Sequence, residues 1–144
     1  MKRYLALDVG DATVGVAVSD PLGLTAQGVE TIRRRDLKAD LNRLRELMDQ
    51  YETKSLVIGL PRNMNGTQGE RCDVVRAFAE EVEKAVPDVV IDFWDERLST
   101  VAASRSLLEA DLSRRKRRKV IDKMAAVFIL QGYLDRLSMG TQGD

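Results

Sequence analysis

Three β-rich runs fill the first 32 residues before any helical pattern begins, and only after them do helix and strand alternate. Tyr4 to Asp8, Thr13 to Ser19 and, more weakly, Thr25 to Ile32 read as strands, joined by turns at Asp11-Ala12 and Pro21-Leu22-Gly23. Connections this short imply an antiparallel meander. Leu37, Leu41, Leu44, Leu47 and Met48 then recur at helical spacing and predict a helix from about Leu37 to Tyr51 with a core-facing stripe. Ser55 to Leu60 is a buried strand ended by Pro61. A helix that starts near Gly69 continues over Arg76 to Val86, and Pro87 ends it before a strand at Val89 to Trp94. Ser99 or Thr100 can cap a further helix through Ala110, and Val120 to Leu137 forms the last one. The alternation after the meander implies parallel pairing, which places ligands at the carboxyl ends of the strands. The expectation is an α/β fold in a single domain, 1–144, since 144 residues bury a real core but do not build two lobes around a cleft.

Composition narrows the chemistry. No histidine is present, which excludes Ser-His-Asp triads, Cys-His pairs, HExxH zinc sites and histidine general bases. The single cysteine, Cys72, excludes an internal disulfide and a Cys-rich zinc site, and its helical setting suits an ordinary thiol. What remains is carboxylate chemistry, whose hard oxygen donors suit magnesium or manganese. No apolar stretch is long enough for a membrane span, and Met1-Lys2-Arg3 runs straight into a strand, so a cytosolic protein with no membrane partner is expected.

Asp8 stands where an apolar strand would normally carry another valine, after Tyr4-Leu5-Ala6-Leu7 and before Val9-Gly10. Desolvating an ionised carboxylate costs several kcal/mol unless a cation or donors compensate, so it marks a phosphate site, a metal site or a turn. Two further acids favour metal. Asp95-Glu96 ends the last strand, and Asp122 interrupts an apolar helix on a stripe with Ala125, Ala126, Ile129 and Tyr133, where the two alanines would let the helix approach the sheet closely. Each acid alone has a plainer role: Asp8 as a turn residue, Glu96 in a salt bridge to Arg97, Asp122 as an acid favoured by a helix N-terminus. Three converging carboxylates would instead hold one or two divalent ions that clamp the attacking and leaving oxygens of a phosphodiester.

The net charge is zero but unevenly spread. Arg114, Arg115, Lys116, Arg117, Arg118 and Lys119 supply six of the 23 basic residues in one run. Such a run repels itself, so a solvated loop or a frayed helix start is expected, with a polyanion as its partner or solubility as its only role. The loop from Gly59 to Gly69, rich in Gly, Asn and Pro, could hold a backbone phosphate on its N–H groups or serve as a plain connection. Phe93 and Trp94 could stack on a splayed base or lie buried.

At these residues the chain resembles the YqgF family, also called RuvX, of RNase H-fold proteins described as Holliday-junction resolvases or pre-16S rRNA nucleases. Four segments carry the likeness in order: Leu7-Asp8-Val9-Gly10 with Gly15 to Gly23, Val57 to Gly66, Asp95 to Thr100, and Val120 to Ala126. The resemblance implies an RNase H-like mixed five-stranded sheet of order 3-2-1-4-5 flanked by helices. It places the catalytic, metal-holding acids on Asp8, Glu96 and Asp122, with Asp95 a lesser candidate beside them. Where the family usually has a Thr-Lys-Arg-like turn after the first glycine, this chain has Asp11-Ala12-Thr13, so a phosphate contact there would pass to Arg62, Arg97 and the basic run. The implied activity is a magnesium- or manganese-dependent endonuclease on structured nucleic acid, with Arg62, Asn63, Arg97 and residues 114–119 on the substrate and a homodimer as an option. The rival readings are a noncatalytic RNA-binding ribosome-assembly factor and a phosphate-loop ATPase. The ATPase architecture needs a second lobe, for which this chain is short.

Overall fold

A computed structural model describes residues 2–63, 65–98 and 114–142, with side chains in the last stretch for 124–139. In chain order the elements are β1 (Leu5–Val9), β2 (Thr13–Ser19), β3 (Ala26–Arg33), α1 (Leu37–Gln50), β4 (Ser55–Leu60), α2 (Glu70–Ala85), β5 (Val90–Asp95), a 3-10 turn (Glu96–Leu98) and α3 (Arg114–Gln142). The five strands form one sheet in the order β3-β2-β1-β4-β5, as expected. β1 pairs antiparallel with β2 and parallel with β4, so the meander and the crossover half meet at β1.

Side-chain alternation along β1 sorts the core into two layers. Leu5, Leu7 and Val9 face α1 and α2, together with Leu44, Leu47, Val75 and Phe78. Ala6 faces α3, with Ala17, Val57, Trp94, Ala125, Ala126, Ile129, Leu130 and Leu134. Each fully buried Leu or Ile contributes about 1.5–3 kcal/mol, so both faces are firmly covered. α1 begins on Asp36, whose carboxylate accepts from the Ala39 N–H at 2.9 Å, a side-chain cap that fixes where the helix starts.

α3 runs opposite to β1. Near its C-terminal half Tyr133 packs edge-on against Tyr4 at 5.3 Å, and one turn earlier Ile129 lies over Gly59 of β4. Two glycines make this close approach feasible. A Cβ on Gly59 would stand 2.3 Å from Ile129 Cδ1, and one on Gly132 would stand 2.9 Å from Trp94 Cζ2. The expected stripe of Ala125, Ala126 and Ile129 is buried, but it is glycine at the two contact points that sets how near the helix comes.

Some element bounds shift from those read: β1, β3 and β5 each begin and end one residue later, and α3 is longer at both ends than Val120 to Leu137. Of the two settings expected for the basic run, it takes the helix start rather than the loop: residues 114–119 form the first turns of α3. Arg and Lys have straight side chains and high helix propensity, which outweighs their mutual repulsion when solvent surrounds them. The helix expected from Ser99 or Thr100 through Ala110 lies outside the described residues.

Candidate active site

Asp8 is the fourth residue of β1 and is only 6% exposed. It lies two residues beyond Ala6 on the strand, which sets it on the face that α3 covers. The parallel register Ala6 to Val57 and Leu7 to Ile58 brings Asp8 beside Gly59 at its next step. Glu96 reaches the same place from another element. It opens the 3-10 turn after β5, is 9% exposed, and its Oε2 would stand 2.9 Å from a Cβ on Gly59. Glu96 therefore folds back against the bare Gly59 backbone, which strand register sets next to the buried Asp8 at the carboxyl ends of the strands. Asp122 lies in α3, one turn ahead of Ala126 and about 10 Å along the axis from Ile129; its side chain is outside the described residues.

Asp95 has a different task from its neighbour. Arg97 donates to it from Nε at 3.1 Å and from Nη2 at 2.7 Å, and the Arg97 N–H adds a third bond to Oδ1 at 3.0 Å. The guanidinium bonds, followed by the Arg97 backbone N–H, outweigh burial and hold the Asp95 carboxyl below the usual carboxylate range. Arg62 lowers it further through space. The salt bridge that a plain reading gives Glu96 is made by Asp95 instead, because the chain leaves strand geometry at Glu96 and the two acids diverge. Arg97 also lies across the loop after β4: Gly66 adopts φ +88°, and a Cβ there would stand 3.3 Å from Arg97 Nη1.

That loop is built largely by its own side chains. Asn63 donates through Nδ2 to Thr67 Oγ1 at 3.0 Å, and Asn65 Oδ1 accepts from the Thr67 N–H at 3.1 Å and hydroxyl at 2.6 Å. The Asn63 amide thus shapes the loop. Arg62 Nε is buried without a hydrogen-bond partner among the described residues. Of the two aromatics, Trp94 is buried under α3, whereas Phe93 is 36% exposed on the other face and carries the Arg76 guanidinium 5.0 Å above its ring.

A second clamp, not foreseen from sequence, holds the turn after Asp8. Arg34 donates from Nη1 to the Gly10 carbonyl at 2.8 Å and from its N–H to the Ala12 carbonyl at 2.9 Å, while its Nε pairs with the buried Asp40 at 3.3 Å. Asp40 Oδ1 accepts in addition from the Arg35 N–H. The turn is thereby tied to the start of α1.

The donor set fits a hard divalent cation: two carboxylates, nearly desolvated, with no nitrogen or sulfur ligand beside them. Among the described residues no group of three or more potential ligand side chains assembles, so the pair needs a third donor from beyond them. Among the described residues, no helix is long and apolar enough to cross a membrane.

An RNase H-like sheet with acids at its carboxyl ends is the architecture of a metal-dependent nuclease. Solved structures of this fold include Thermus thermophilus RuvC in complex with a Holliday junction substrate, which superposes with a TM-score of 0.63 at 13% identity over 98% of both chains. A second Thermus thermophilus RuvC structure gives 0.56 at 14% identity, over 96% of this chain and 97% of that one. The chain belongs to the RuvX family: the family model described as "RuvX: Holliday junction resolvase" matches residues 2–136. Relatives named as candidate pre-16S rRNA nucleases come from Moorella thermoacetica, 62% identical over 94% of this chain and 96% of its own length, and Heliobacterium modesticaldum, 59% identical over 92% and 89%. A Clostridium botulinum relative of the same name is 54% identical over 94% and 98%.

Proposed function

We propose that this chain, as one domain of residues 1–144, is an endonuclease that hydrolyses phosphodiester bonds in structured nucleic acid, using magnesium or manganese held by Asp8, Glu96 and Asp122. The observation that carries the reading is the burial of two acids from different elements at the carboxyl ends of the strands, Asp8 next to Gly59 by strand register and Glu96 with its Oε2 against the Gly59 backbone. Two carboxylates this desolvated at one end of the sheet suit a shared cation. A divalent ion there would supply Lewis-acid stabilisation of the charge that builds on the scissile phosphate.

The chain's own residues do the rest. Arg97, made rigid by Asp95, and Arg62 beside it offer guanidinium donors to the non-bridging oxygens of a phosphodiester at the strand ends. The helical run 114–119 at the start of α3 concentrates six positive charges that would draw a nucleic-acid strand toward the protein. Gly59 keeps Glu96 pressed to the sheet, and the Arg34 clamp keeps the turn after Asp8 from moving. The names carried by the relatives support pre-16S rRNA as substrate, and the family description supports a Holliday junction.

Incubating the protein with a 5′-extended 16S precursor RNA and with a four-way DNA junction, each with magnesium and with manganese, tests the proposal. Cleavage of either that requires the metal is the expected result. Tight, metal-independent binding of RNA with no cleavage would replace the nuclease with an assembly factor.

A further inference from the structure

The turn after β1 carries an ion pair that the chemistry above leaves unused. Arg71, in the first turn of α2, donates from Nη1 to Asp11 Oδ2 at 3.0 Å, and both side chains are open to solvent, 49% and 77% exposed. The guanidinium also lies against the turn itself, with Nη2 3.8 Å from where a Cβ on Gly10 would be. It therefore stands over the segment that directly follows the buried Asp8, at the carboxyl end of the sheet.

The partner carboxylate is held on a fixed frame. Gly10 N–H donates to the Thr13 carbonyl at 2.9 Å, and Arg34 grips the Gly10 and Ala12 carbonyls from below. Asp11 is thus presented on a turn braced on both sides by hydrogen bonds, so its side chain is the part that gives way most easily. An exposed ion pair of this kind adds little to stability and is weakened by salt, so losing it costs the fold almost nothing. A phosphodiester is the stronger partner, because Asp11 takes one donor of the guanidinium fork, at Nη1, where a phosphate can take two, and because each phosphate bound releases condensed counterions.

We propose that Arg71 is a phosphate-binding residue at the entrance to the Asp8 and Glu96 site, and that Asp11 is a latch that occupies its guanidinium until a nucleic-acid phosphate displaces it. The inference rests on the nucleic-acid reading above. It gives the turn, which lacks basic residues of its own, a cation supplied from α2, and it makes an acidic residue a brake on binding.

The test is equilibrium binding in EDTA, where no cleavage occurs, of a labelled four-way DNA junction and a labelled precursor rRNA stem, using whichever the wild type binds more tightly. Wild type, Asp11→Asn, Arg71→Gln and the double variant are compared across a salt series. Asp11→Asn should tighten binding by about twofold to fivefold, the upper part of the span of an exposed ion pair. Arg71→Gln should weaken it by a similar factor and lower the log-log salt slope by about 0.7–0.9. In the Arg71→Gln background, Asp11→Asn should change affinity by less than about twofold, since the cation it masked is gone. Equal tightening in both backgrounds would reduce Asp11 to a general repulsive charge and overturn the latch, as would unchanged affinity in either single variant. A wild type that binds neither probe overturns the nucleic-acid reading itself, whereas salt-sensitive wild-type binding without coupling between the two residues removes only the latch.

Discussion

Replacing Gly59 with alanine separates packing from chemistry at the centre of the site. The new methyl carbon would fall 2.3 Å from Ile129 Cδ1, 3.0 Å from Ile129 Cγ1 and 2.9 Å from Glu96 Oε2, all well inside contact distance. Ile129 is fully buried, so it has no free space to rotate into, and α3 must lift or the strand must bend. Overpacking of this kind costs about 1–3 kcal/mol, which lowers Tm by roughly 3–10 °C in a chain of this size. Because ordinary domains hold about 5–15 kcal/mol, the variant should still fold. Adding Ile129→Val removes Cδ1 and the worst overlap, at a cost of about 0.5–1.5 kcal/mol on its own. The double variant should then be more stable than Gly59→Ala. Activity should not follow, since the methyl still displaces the Glu96 carboxylate. Urea denaturation and single-turnover cleavage of the three variants measure both. A Gly59→Ala protein as stable as wild type would refute the close approach of α3. Full activity in the double variant would refute the role given to Glu96.

Arg34→Met should cost about 2–3 kcal/mol in urea denaturation, because Asp40 is left buried with its guanidinium partner gone; a loss below about 0.5 kcal/mol would remove the clamp. Acid stability is tied to Glu30, whose carboxyl is held below its ordinary value of 4.5, chiefly by its hydrogen bonds from Arg43. A carboxyl lowered in the folded state stabilises above its unfolded value and loses that contribution as pH falls through the folded one. Arg43→Gln should therefore reduce stability at neutral pH by about 0.2–1 kcal/mol and close the gap to wild type below pH 4.5; a gap that persists in acid contradicts this. Changing Arg114, Arg115, Arg117 and Arg118 to glutamine should weaken substrate binding and flatten its salt slope while saturated turnover stays within a few fold, and an unchanged slope would leave the run a solubilising one.

The antiparallel meander and the parallel pairing after it were legible because short turns force antiparallel neighbours and helical crossovers allow parallel ones, whereas the order β3-β2-β1-β4-β5 was implied by the family resemblance. Asp8 was legible for a local reason too, as a charge in an apolar strand. The division of labour between Asp95 and Glu96 was not. Strand alternation ends at Asp95, and the 3-10 turn after it sends Glu96 back to Gly59 while Asp95 takes Arg97. Contacts set by tertiary approach left no trace in periodicity. Gly59 and Gly132 look like ordinary glycines until α3 is laid over them, and Arg71 meets Asp11 across 60 residues of sequence. Arg34 likewise reads as one of three consecutive arginines, and only the bend into α1 turns it toward Asp40 and the Gly10 carbonyl.

The central claim is that Asp8, Glu96 and Asp122 hold one metal site, and manganese titration followed by thermal unfolding addresses it without relying on turnover. The wild type should gain stability with rising manganese as a bound ion stabilises the folded state by mass action. Asp8→Asn, Glu96→Gln and Asp122→Asn should each fold, lose most of that gain, and cleave roughly a hundredfold or more slowly. A folded Asp122→Asn variant with the full manganese shift and wild-type cleavage would contradict the three-residue site.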